Sequence, residues 1–346
     1  MSMTQKLSKR GAFLAASLVL GAALGVSSLS AQTVSTAPVG AVTKTINVGL
    51  NSVGITLLNP DLVVANASAN TATTITLSGV TNAGALLTAG LPYYVEAVGG
   101  TLEGERFDVD TAATIAAANG SVTLATSANN TFALATGNAV GTQFALRKHV
   151  NLAQVQSFFT TPLVGSNTAG SADQIWLLNS AGTAFAQYYL RADLTSWRLT
   201  TGATNVANSV TIPPGTGIIV QKRVAAATLV STGGVRVNDF SMPLNVGLSF
   251  RAPAYPINFT PSSLGGTAVN GWTGNNTSGS ADQLRVLNAG GSAFNAYYLR
   301  ADGSSWRLTT GATNVASSEL FTFDSGFMVS RKTADTNYIL TSPIAL

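Results

Sequence analysis

Residues 11–26 form an apolar stretch without a charged side chain, mostly Ala, Leu, Val and Gly. Lys6, Lys9 and Arg10 precede it, and the small residues Ser27, Ser28, Ser30 and Ala31 follow. This order of basic start, apolar centre and small-residue end is that of a secretory signal peptide. The run is shorter than the ~20 residues that span a bilayer. Residues 1–31 are therefore expected to be removed, with cleavage after Ala31 or Ser30. Beyond the leader no second apolar run reaches spanning length, which predicts a mature chain without a transmembrane helix. Its apolar residues come instead in short runs rich in Val, Ile, Tyr and Trp, bounded by Gly, Asn and Pro, the pattern of strands and turns. Helical periodicity is absent, apart from one or two possible turns at 112–118 that lack an amphipathic stripe.

A repeat organises the second half. Residues 170–209 and 279–318 match at 29 of 40 positions without a gap, at an offset of 109. The offset continues from 217–223 (GIIVQKR) to 326–332 (GFMVSRK). Strands are predicted at 173–179, 184–191, 196–199 and 217–223, with equivalents in the second copy. Adjacent tyrosines in a strand point to opposite faces. Tyr189 is thus expected to share a face with Phe185 and Arg191, and Tyr188 to lie with Leu190 on the other. The region before the repeats does not repeat. Strand candidates there are 42–50, 53–58, 73–78, 93–98, 102–109, 121–124 and 143–148, with turn signals at Asn51-Ser52 and Asn119-Gly120. The sequence predicts an all-β protein: an N-terminal β domain at 32–149, then two sandwich-like repeat units at 150–256 and 257–346.

Composition changes the picture in two ways. The full chain carries 18 Lys and Arg against 14 Asp and Glu. Three of the cations lie in the leader, so the mature chain has 15 against 14, a net +1. The basicity belongs to the leader, and nucleic acid is excluded as an expected partner. Only 9% of residues are charged, far below the ~25% of ordinary soluble domains. A surface so poor in charge suits a protein that packs against copies of itself or sits in a surface layer. There is no cysteine, so stability rests on burial.

The start VSTAPVG at 34–40, the segment LEGERF at 102–107, and the paired blocks with ADQ, YY and WR followed by a Gly-rich turn occur in a recognisable order. In this the chain resembles an uncharacterised family of exported β-rich proteins found mainly in Verrucomicrobia and relatives. The resemblance covers nearly the whole mature chain and implies export and β structure. It implies no catalytic residues.

Few groups offer chemistry. The single histidine, His149, lies in a basic turn, and no G-x-S-x-G supplies a nucleophile elbow. With no Cys and one His, a nitrogen- and sulfur-ligated zinc site cannot be built in one chain. Asp108 and Asp110, two apart on a predicted strand, could share a face and hold calcium, or give one member of a glycosidase pair. Asp173, Asp282, Asp193 and Asp302 recur in both repeats. The spacings Arg191–Asp193 and Arg300–Asp302 suit local ion pairs. The aromatic clusters Tyr188, Tyr189 and Trp197, and Tyr297, Tyr298 and Trp306, are the candidate ligand sites. If exposed, they would stack on sugar rings, and two copies would add avidity for a polysaccharide. The expectation is an exported non-enzymatic structural or adhesive protein of the cell surface or matrix, the periplasm not excluded, self-associating through β edges or bound to other surface components. A carbohydrate-binding protein is the alternative, and a carboxylate hydrolase the remote one.

Overall fold

Asn47 decides how the chain begins its fold. The expected strand 42–50 is broken there, because the Asn51 Oδ1 accepts the Asn47 N–H at 2.9 Å and Gly49 takes φ of 100°. The structure, a computed structural model, describes residues 38–334 and 338–344, so the leader lies outside the described residues. Strand β1 (Val39–Ile46) precedes the break and β2 (Gly49–Gly54) follows it. Asn51-Ser52, read as a turn from the sequence, lies inside β2.

Six strands come next: β3 (Asp61–Asn70), β4 (Thr74–Leu77), β5 (Tyr93–Gly99), β6 (Arg106–Val109), β7 (Ser121–Thr123) and β8 (Gln143–Lys148). They form one sheet in the order β6-β5-β8-β3-β4-β7. Its apolar face packs around Phe107, Phe144, Ile75 and Val95. The weak helical signal at 112–118 becomes a helix, Thr111–Ala117, because Asp110 caps its N-terminus.

The chain then returns to the body it left. Strands β9 (Val150–Asn151), β10 (Gln174–Leu178), β11 (Phe185–Leu190), β12 (Trp197–Leu199), β13 (Thr211–Ile212), β14 (Gly217–Lys222) and β15 (Ala227–Gly234) complete it. The main sheet runs β12-β11-β10-β14-β2, while β1 pairs with β15 along its length. The second module follows with β16 (Phe240–Ser241), β17 (Gly247–Arg251), β18 (Gln283–Leu287), β19 (Phe294–Leu299), β20 (Trp306–Leu308), β21 (Phe327–Arg331) and β22 (Ile339–Leu340). Its main sheet runs β17-β21-β18-β19-β20, and β16 pairs with β22 as β1 does with β15. Registers agree as well: Gln174 faces Tyr189 and Gln283 faces Tyr298. Both β10–β11 and β18–β19 turns are closed alike. Asn179 Oδ1 accepts the Thr183 N–H, and Asn288 Oδ1 the Ser292 N–H, each at 2.9 Å.

The sheets cut across the boundaries drawn at 149 and 256. Strand β2 comes from the non-repeating region, yet completes the first repeat's sheet. Strand β17 lies before residue 257, yet completes the second's. The six-stranded sheet is inserted between β2 and β9.

Each repeated sheet is apolar on both faces, which is why its strands read as continuous runs. In the first module Ile175, Leu190, Trp197 and Val220 face the module's own core. In the second Leu284, Leu299, Trp306 and Val329 do the same. The opposite faces meet each other through Ile219, Trp176 and Phe185 on one side and Phe250, Met328 and Phe294 on the other. The contact is reciprocal. Gly54 N–H donates to Asp324 O at 2.8 Å, and the equivalent Ala252 N–H donates to Gly215 O at 2.9 Å. The modules are related as in an isologous dimer, within one chain.

Three edge strands are covered by the chain's own loops. Trp197 O accepts Val206 N–H beside β12, Trp306 O accepts Val315 N–H beside β20, and residues 125–131 close β6. Self-pairing through these three edges would first have to displace those bonds. No helix among the described residues is long and apolar enough to cross a membrane.

Candidate functional site

The two aromatic clusters do not form stacking platforms. Trp197 and Trp306 are 0% exposed. Their indole N–H groups donate to Gln156 Oε1 at 2.8 Å and Gly266 O at 2.6 Å. Strand alternation puts them on the core face, where a large ring fills most space. Tyr188 and Tyr297 lie half-buried against the same cores. Tyr189 and Tyr298 point the other way, as the alternation predicts, but are only 7% and 8% exposed. The candidate sugar-stacking faces of all six rings are thus largely taken up by the protein.

Asp108 and Asp110 part company. Asp110 Oδ1 accepts the Ala113 N–H at 2.9 Å as the helix cap. Asp108 accepts His149 Nε2 at 2.8 Å, Ser127 Oγ at 2.6 Å and Asn129 Nδ2 at 3.0 Å. Burial pushes the Asp108 carboxyl up, but the bond and charge of His149, with Ser127 and Asn129, outweigh it and hold it at about 2. Calcium needs several free carboxylate oxygens at one point. Among the described residues no three His, Cys, Asp or Glu side chains come together. Nor do His149, Asp108 and Ser127 form a nucleophile relay. Ser127 bonds Asp108 and not the imidazole, and His149 Nδ1 is buried without a hydrogen bond.

The recurring aspartates have structural partners that spacing alone could not reveal. Asp173 accepts Lys222 Nζ at 2.5 Å and the backbone N–H groups of Val164 and Arg223 at 2.7 and 2.8 Å. Asp282 likewise accepts the Thr273 N–H at 2.7 Å and the Lys332 N–H at 2.6 Å, and its carboxylate is ion-paired with Arg331 Nε at 3.1 Å. Asp193 and Asp302 each accept two backbone N–H groups of their own turn and are held at about 2 by those bonds. The expected pairs Arg191–Asp193 and Arg300–Asp302 are not made, because the carboxylates turn to the backbone. Arg191 and Arg300 reach the carbonyls of Asn167 and Asn276, each at 3.4 Å.

The most concentrated chemistry is one the sequence did not signal. Glu96, on β5, is fully buried. It pairs with Arg147 of β8 and with Arg236, from the segment leading into the second module. Arg147 also binds Asp61 at 2.5 Å. Asn238 Nδ2 reaches Glu96 at 3.4 Å. The Phe240 ring lies against the guanidiniums of both Arg106 and Arg236, 4.2 and 4.6 Å from its centroid. Burial lowers Arg106 and Arg251 to about 10, so both keep their charge at neutral pH. These residues come from the inserted sheet and the second module, a meeting no local spacing encodes. A charge cluster of this kind is costly to dehydrate, and it is destabilising above all when one partner is removed. Comparison of the chain with family models, with curated proteins and with solved structures gives no match.

Proposed function

We propose that the chain is an exported, non-enzymatic structural or adhesive protein of the cell surface or extracellular matrix. The observation that carries this reading is where its carboxylates go. Every described carboxylate except Glu105 accepts a hydrogen bond or ion pair from elsewhere in the chain. Several of those bonds join separate bodies: Glu96 to Arg236, Glu103 to the Asp239 N–H, Asp324 to Lys44. Polar groups in such a chain hold β bodies in one arrangement. That suits a load-bearing or surface-displayed part.

Antibody labelling of intact and permeabilised cells, with assays of the purified mature chain on a polysaccharide panel, tests the reading. Surface or matrix signal without turnover is the expected result. Signal confined to the cytoplasm, or turnover that disappears in Asp108→Ala, overturns it.

A further inference from the structure

Most of the duplicated block has a visible structural task. Trp197 and Trp306 fill cores, Asp173 and Asp282 pin strands, and Asn205 and Asn314 accept the backbone N–H of the two tryptophans at 3.1 Å. One set does not. Tyr189 stands opposite Arg198 in the β11–β12 register, and Tyr298 opposite Arg307 in the β19–β20 register. Arg191 and Arg300 follow two residues after each tyrosine, on the same face. In the second module the Arg300 guanidinium lies 5.9 Å from the Tyr298 centroid, and its Nη1 donates to the tyrosine oxygen at 3.1 Å.

These four arginines differ from the buried ones. Among the described residues none has a carboxylate within ion-pair distance. The Nε atoms of Arg191, Arg198 and Arg307 are buried and make no hydrogen bond, which leaves their terminal nitrogens as the groups a ligand could meet. All four are half-buried, with stems against the sheet and the remaining donors able to reach solvent. Substitution has changed 11 of the 40 block positions between the copies, yet both arginines and the tyrosine stand in each.

We infer that the sheet faces that also carry the module contact hold, away from the hairpin tips, a pair of equivalent sites for an acidic polysaccharide, built on Arg191, Arg198 and Tyr189 in one module and Arg300, Arg307 and Tyr298 in the other. This rests on the adhesive reading above and gives it a ligand class. A guanidinium fork fits a carboxylate or sulfate ester bidentately. In the second module the Tyr298 ring and hydroxyl steady the Arg300 fork. A polymer with a charge on each sugar can engage both sites at once, and the second contact then counts as intramolecular. With a mature net charge near +1, no general positive field draws in polyanions. Nucleic acid fits less well, because the tyrosines are covered and offer no exposed face for base stacking.

Retention of the purified mature chain on immobilised alginate (a polyuronate), dextran sulfate, neutral dextran and single-stranded DNA tests this. Retention on alginate or dextran sulfate is expected, weakening as salt rises, with none on neutral dextran. Which of the two is held more tightly separates carboxylate from sulfate recognition. Arg198→Gln alone should lower retention about tenfold or more through lost avidity, and Arg198→Gln with Arg307→Gln should abolish it, at an unchanged melting temperature. If the double variant does not fold, the salt dependence of the parent chain and its preference over DNA decide. No retention on either acidic polymer, retention unchanged in a folded double variant, or equal retention on DNA overturns the inference. Cell-surface labelling is read separately, so a failed glycan test leaves the structural reading standing on its own evidence.

Discussion

Gly217 and Gly326 occupy the same position in the two modules and meet across their contact: a Cβ built on either stands 3.1 Å from the other's Cα. The pseudo-two-fold axis passes between them. Beside it, Ser52 Oγ donates to Gly326 O at 2.6 Å. A Cβ at Gly217 would also stand 2.6 Å from the Arg251 carbonyl oxygen, and one at Gly326 2.9 Å from the Phe250 ring. Gly217 faces backbone, which cannot turn aside, whereas Gly326 faces a ring that can shift. Gly217→Ala is therefore expected to cost about 1–3 kcal/mol, and Gly326→Ala less. Urea unfolding of the two variants against the parent measures the difference, and equal loss at both positions contradicts the asymmetry.

The same contact is closed at its ends by the hairpin tips. Gly182 lies against the Leu248 carbonyl and Gly291 against that of Leu50. Here the sequence carried part of the answer. The 109-residue offset, the turns with Gly and Asn, and the alternation that separates Tyr188 from Tyr189 were all legible, because each depends on neighbours within a few residues. The modules' first strands were not. β2 and β17 share only an initial Gly-Leu, and β2 is separated from the rest of its sheet by the whole inserted domain. The burial of the two tryptophans was not legible for a related reason. Composition marks Trp197 and Trp306 as aromatic in a strand, but which face is buried depends on a second layer that spacing cannot show. The buried Glu96 had no signal at all, since its partners Arg147 and Arg236 lie far along the chain.

Glu96 makes the next prediction. It is the only carboxylate that binds both Arg147 and Arg236 among the described residues. Glu96→Gln keeps the shape and removes the charge, leaving two buried guanidiniums with one acid, Asp61, between them. A loss of about 3–5 kcal/mol is expected, the usual effect of breaking a buried pair on one side. Because the cluster joins the inserted sheet to the second module, differential scanning calorimetry should show a single transition in the parent and a broadened or split one in the variant. A variant as stable and as cooperative as the parent would show that the cluster does not couple the two bodies.

Asp108 sets a pH dependence. Its carboxyl is held at about 2 in the folded chain, below the ~3.9 of an unfolded aspartate. A lowered carboxyl stabilises the fold above the unfolded value, and that contribution disappears as pH falls through the folded one. Stability should thus be level above about pH 4 and decline from there to about pH 2, by roughly 2 kcal/mol at most for this group. Asp108→Asn should lower stability at pH 6 and flatten that part of the profile. An unaltered slope between pH 4 and pH 2 in the variant would assign the acid sensitivity to other carboxylates.

Trp197 and Trp306 separate core from ligand roles most directly. Both are buried, both donate an indole hydrogen bond, and Trp306 also packs edge-on against Trp272 with ring centroids 5.6 Å apart. Trp197→Ala or Trp306→Ala removes a large ring that nothing nearby can replace, with an expected loss of about 3–5 kcal/mol. Trp306→Phe retains most of the volume but leaves the Gly266 carbonyl without the indole donor, so a smaller loss of about 1–3 kcal/mol is expected. If the rings instead bound a sugar, the alanine variants would fold with the parent's stability and lose polysaccharide retention alone. Thermal unfolding and affinity electrophoresis on the same samples distinguish the two, and the buried indoles predict that stability falls first. The arginine pairs give the converse pattern, with retention lost and stability kept, so the two sets of variants together place ligand contact at the arginines and folding energy in the cores.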